Sequence, residues 1–143
     1  MSAMLRAIGR IITAFALLTG VGAGTLAAAA PARAAAWNDA YQVTVARTGG
    51  FAGVNEQYAV STGTVHIYTA DLLATASTRE FRRLSPAYPA GPGADRFHYT
   101  VTVTYRNGVT KTVSTEDGAP APEVLWQVID MTMQISRDLA PVS

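Results

Sequence analysis

The chain has 143 residues, no cysteine, and a formal charge of +1 from eleven Lys/Arg against ten Asp/Glu. The absence of cysteine excludes thiol catalysis and most disulfide-braced inhibitor and toxin scaffolds of small exported domains. The basic surplus belongs to the first 34 residues, which hold Arg6, Arg10 and Arg33 and no acid; the rest carries eight bases and ten acids, a net −2, so a nucleic-acid role loses its electrostatic support.

Residues 1–34 read as a secretory signal peptide: a basic start, an apolar middle at Ile11–Val21, and a small-residue end at Ala32-Arg33-Ala34. Cleavage is expected after Ala34, with Ala36 as the second position. The apolar run is short for a span of about 20 residues, although its Gly/Ala-rich extension to Ala30 leaves an uncleaved anchor as an alternative. Cleavage leaves residues 35–143, one small domain, expected to be secreted and without further membrane association.

Past a lead-in containing Trp37, Tyr41–Arg47 alternates apolar and polar residues as a half-buried strand does. Arg47-Thr48-Gly49-Gly50-Phe51-Ala52-Gly53 interrupts it, and this cluster needs a geometric reason, because glycine loses more backbone entropy on folding than any other residue. Glu56–Ser61 and Thr64–Thr69 read as two further strands joined by a tight turn at Thr62-Gly63. Over Asp71–Leu84 the apolar residues Leu72, Leu73, Ala76, Phe81 and Leu84 fit one side of a helix, with Ser77 or Thr78 capping a second half near Glu80.

Ser85–Ala94 (SPAYPAGPGA) predicts a surface loop without regular structure. Arg96–Tyr105 and Val109–Thr115 alternate around Arg106-Asn107-Gly108, and Asn-Gly between two such runs is a strong hairpin signal. From Pro120 onward, Val124, Leu125, Val128, Ile129, Met131, Thr132, Ile135 and Leu139 form a broad helical stripe. The expected fold is α+β: a small antiparallel sheet of about four to five strands, packed with a C-terminal helix and a shorter middle helix.

Catalytic chemistry finds no constellation. His66 and His98 lie in separate runs without the partners a metal site needs, no Ser stands in a nucleophile motif, and adjacent Glu116 and Asp117 suit the dipole of the following helix. The chain is therefore expected not to be an enzyme and to use no cofactor and no metal. Two segments stand out: Gly49–Gly53, whose Phe51 either projects as an anchor or tucks into the core, and Gly93–Tyr99, where Asp95 and Arg96 either bind a partner or pair across the strand.

Arg47 with Gly49-Gly50-Phe51-Ala52-Gly53, then Gly93-Ala94-Asp95-Arg96-Phe97 with Tyr99, then Asp117-Gly118 with Pro120, resembles the emfourin family in residues and order, over roughly Tyr41–Ile135. The stretch from Val54 to Thr78 follows the family loosely, being strand-like where the resemblance implies a shorter strand and then a helix. The resemblance implies an α+β inhibitor domain whose partner is a thermolysin-like zinc metallopeptidase, blocked non-covalently at its cleft. The residues it singles out for partner binding are Arg47, Gly49, Gly50, Phe51, Ala52, Gly53, Asp95 and Arg96. The alternative is a secreted or envelope-associated binding module without catalysis.

Overall fold

The computed structural model describes Ala36 and residues 38–141. The signal peptide expected at residues 1–34, and Trp37, lie outside the described residues. Five strands form one sheet in the order β2-β1-β4-β5-β3: β1 (Ala40–Gly49), β2 (Val54–Ser61), β3 (Ala87–Tyr88), β4 (Phe97–Tyr105) and β5 (Thr110–Glu116). The helices are α1 (Thr69–Ser77), α2 (Arg79–Arg82) and α3 (Glu123–Asp138).

Register explains which face is buried. Val43 and Val45 of β1 stand opposite Val103 and Val101 of β4, and Val101 in turn opposite Val113 of β5. Cross-strand partners share a face, so this alternation makes one apolar surface. Leu72, Phe81, Leu125, Ile129 and Ile135 from the helices join the same buried cluster. Each such side chain contributes about 1.5–3 kcal/mol when fully buried. The other face carries Thr44, Thr102 and Thr112 in one row and, among the described residues, has no helix over it. The core runs from Ala40 to Ile135 as one cluster, so the domain closes its own core.

The α+β expectation holds, with three refinements. The middle helix divides at Thr78, whose extended backbone ends α1 and whose hydroxyl accepts from the Phe81 N–H at 3.2 Å, capping α2. The loop expected over Ser85–Ala94 contains β3, which pairs parallel with β5 and makes the sheet mixed. Two residues are too few to leave a periodic signal, and Tyr88 is fixed from outside, its carbonyl accepting from Thr115 Oγ1 at 3.1 Å.

The third refinement is a correction. Thr64–Thr69 is not a strand: the Thr64 N–H bonds Ser61 O, His66 Nδ1 accepts from the Tyr68 N–H, and α1 begins at Thr69. The alternating pattern is present, but Val65 and Ile67 point to solvent, 90% and 79% exposed. A strand here would lie beyond the edge strand β2. The chain instead turns back so that Leu72 and Ala76 bury against the sheet, and tertiary packing overrides β propensity. The result, a strand and then a helix, is the order the family resemblance implies.

Candidate functional site

Three connections meet at one end of the sheet: the β1–β2 turn, the segment before β4, and the turn after β5. Gly49 pairs with Val54, and the Gly53 N–H bonds Gly50 O at 3.1 Å, so Gly50-Phe51-Ala52-Gly53 is a tight turn. Gly49 and Gly50 have φ of +89° and +71°, the left-handed region that glycine enters without penalty. Space requires them as well. A Cβ on Gly49 would stand 2.7 Å from the Arg96 carbonyl oxygen, and one on Gly50 would stand 2.6 Å from the Phe97 ring. The turn lies directly on the start of β4, and the Gly50 N–H donates to Arg96 O at 3.0 Å.

Phe51 is 95% exposed, so the alternative in which it tucks inward is excluded. A braced turn thus carries an aromatic side chain that the domain itself does not use.

Beneath the turn, Arg47 lies on the same face of β1 as Val43 and Val45, opposite Tyr99 of β4. Its guanidinium sits 3.6 Å from the centre of the Phe97 ring, and Nη1 donates to Glu56 Oε2 at 3.1 Å. Tyr58 Oη donates to the same oxygen at 2.7 Å. Burial opposes the Arg47 charge, but the Glu56 hydrogen bond and the neighbouring Tyr99 carry its pKa above the ordinary value. Glu56 is held below the usual carboxylate value by the Tyr58 hydrogen bond first, against slight desolvation, and by Arg47 next. Tyr99 is raised by burial, then by the Asp117 carboxylate, and its ring meets Trp126 edge-on at 5.8 Å.

Arg96 does not pair with Asp95. Its Nη1 and Nη2 donate to the carbonyls of Gly91 and Pro92, at 2.9 and 3.2 Å, and its guanidinium lies against Gly93. It is a clip that holds its own loop. Asp95 is exposed with φ +61°, a conformation Asp tolerates better than most residues. Asp117 N–H bonds Phe97 O at 3.0 Å, bringing the Asp117-Gly118 turn to the same end.

The eight residues singled out in the sequence therefore gather at one end, in two layers. Phe51, Ala52, Gly53 and Asp95 are exposed; Arg47, Gly49, Gly50 and Arg96 lie beneath and brace them. Glu56 and Tyr58 belong to the lower layer and were not singled out. Their signal was the hairpin itself, which sets Arg47 opposite Glu56. His66 and His98 take no part: His66 meets Asp138 at 3.3 Å, and His98 meets Glu116 at 3.2 Å. Among the described residues no group of three or more His, Cys, Asp or Glu could hold a metal ion.

The outer layer is thus an exposed aromatic on a turn braced by β4, beside a second loop that Arg96 clips. The model of the emfourin family matches residues 45–130, more than half of the chain, and the chain belongs to that family. It is a family of protein peptidase inhibitors, not of enzymes, and its partners are metallopeptidases. No curated protein and no solved structure gives a significant match to the chain.

Proposed function

We propose that this domain is a secreted inhibitor of thermolysin-like zinc metallopeptidases, and that it blocks the active-site cleft non-covalently with its Gly49–Gly53 turn. The observation that carries the reading is Phe51, 95% exposed on a turn whose Gly49 and Gly50 pack against β4. Burying such a side chain on a partner contributes about 1.5–3 kcal/mol, and a turn already fixed in the free protein lowers the ordering cost of binding. The Gly91–Asp95 loop is the second contact. Arg47 and Arg96 act by holding the two loops in place.

The test is a titration of residues 35–143 against thermolysin and subtilisin, with wild type and Phe51→Ala. Inhibition of thermolysin alone is expected, weakened at least about tenfold by the substitution, with an unchanged melting temperature because the side chain packs on nothing. Equal inhibition by a folded Phe51→Ala protein would refute the anchor. Failure to inhibit either peptidase would favour the non-catalytic binding module.

A further inference from the structure

The end of the sheet away from Phe51 carries a different surface. The described chain joins β1 there, at Ala36–Ala40, beside a cleft of about 830 Å³ lined by Arg79, Arg82 and Arg106. None of the three makes an ion pair among the described residues. Asp39 is the only acid in the lining, and its Oδ2 already accepts from the Ala36 N–H at 2.7 Å. Three unpaired arginines in one cleft stand out in a domain whose net charge after residue 34 is −2.

A second, apolar hollow of about 740 Å³ shares Thr62, Ala70 and Leu73 with this cleft, so the two form one continuous surface. Its rim holds Val65 and Ile67, 90% and 79% exposed, on a segment that packs neither side chain into the core. Val109, also exposed, stands beside Arg106 on the β4–β5 turn. Branched apolar side chains beside unpaired arginines match a bilayer interface, where chains enter the acyl boundary and cations meet phosphate headgroups.

We propose that this surface docks the domain on anionic phospholipid membranes, through Arg79, Arg82 and Arg106 on the headgroups and Val65 and Ile67 at the acyl boundary. Charge complementarity names the occupant: three arginines with no acidic partner among the described residues suit phosphate headgroups, beside exposed branched apolar side chains. β1 spans ten residues, about 30 Å, from Ala40 to the Phe51 turn. A domain seated this way presents the turn away from the membrane, free for a soluble peptidase. The inference goes beyond the inhibitory reading and does not depend on it. It departs from the expectation that the cleaved domain has no further membrane association, because the described surface brings unpaired arginines and exposed apolar side chains together.

The test is co-sedimentation of residues 35–143 with vesicles of phosphatidylcholine alone and of phosphatidylcholine with an equal part of phosphatidylglycerol. Binding to the anionic vesicles only is expected. Each basic residue at an anionic surface is worth about fivefold in affinity, so the triple variant R79Q/R82Q/R106Q should bind about a hundredfold more weakly. V65S/I67S should lose about tenfold or more. All five positions are exposed, so both variants should melt as wild type and inhibit a peptidase equally well. Wild type that ignores anionic vesicles, or binds neutral ones equally, overturns the proposal. So does either folded variant binding as wild type. A wild type that avoids vesicles but self-associates, with R79Q/R82Q/R106Q or V65S/I67S monomeric, assigns the surface to a second copy of the chain and also overturns it.

Discussion

Arg47 and Phe97 stack, guanidinium over ring at 3.6 Å, and this contact joins the first strand of the hairpin to the strand on which its turn rests. The same guanidinium holds Glu56 across the hairpin at 3.1 Å. Arg47→Ala removes the stack and the ion pair together. With Glu56 open to solvent the pair adds little, and the stack contributes about 0.5–2 kcal/mol. The expected loss is about 1–2 kcal/mol, a fall in melting temperature of about 5 °C or more. Arg47→Lys should recover little, because an ammonium does not reproduce the planar stack. Thermal unfolding of the three proteins checks this; a lysine variant as stable as wild type would remove the stack from the account.

The glycines of the turn should separate by cause. Gly50 has φ +71° and Phe97 where a Cβ would go, whereas Gly53 has φ +63° and open space. Gly53→Ala meets backbone strain only, about 1–2 kcal/mol. Gly50→Ala meets the same strain and must also displace the Phe97 ring, with Arg47 stacked on it. Denaturant unfolding should therefore rank Gly50→Ala as clearly more destabilising than Gly53→Ala, and equal losses would mean that the ring moves freely.

Much of this end was legible in the sequence. Glycine clusters and Asn-Gly signal turns because few residues accept their backbone angles, and strict alternation in Phe97–Tyr105 signals a half-buried strand for the same local reason. What escaped was decided by packing at a distance. Thr64–Thr69 has a strand's alternation, yet it became the approach to α1 because Leu72 and Ala76 had a sheet to cover. Arg96 looked like a partner for Asp95, its neighbour in sequence, but its acceptors are backbone carbonyls of Gly91 and Pro92, groups every residue carries and no pattern marks. The direction of Phe51 was equally open, since a tight turn can present its second residue to either side.

Glu56 gives the domain a pH-dependent element with a defined sign. Its pKa is lowered in the folded protein from the usual 4.5, by the Tyr58 hydroxyl before Arg47. A depressed carboxylate contributes stability that is present above its unfolded pKa and is lost as pH falls through the folded one. The melting temperatures of wild type and Glu56→Gln should therefore differ at neutral pH and converge as the pH is taken down through 4.5 and below. Tyr58→Phe should raise the Glu56 pKa toward the usual value and shift that convergence to higher pH. A gap between wild type and Glu56→Gln that is independent of pH would show that the carboxylate's charge contributes nothing.

Arg96 offers a way to loosen one loop and leave the other intact. Its two hydrogen bonds to Gly91 and Pro92 close the segment ahead of β4, while its own carbonyl, which Arg96→Ala retains, holds the Gly50 N–H. The substitution should cost under about 1 kcal/mol globally, because the side chain is partly solvated and water replaces much of what it gives up. Locally the effect should be larger. Backbone order parameters at Gly91, Gly93, Ala94 and Asp95 should fall, with those of the Gly49–Gly53 turn unchanged. If the second loop meets the peptidase, Arg96→Ala should weaken inhibition by making that loop pay its ordering cost on binding. A Phe51→Ala background separates the two contacts. Additive losses would mean that the loops bind independently, and a smaller combined loss would mean that the clip acts through the turn.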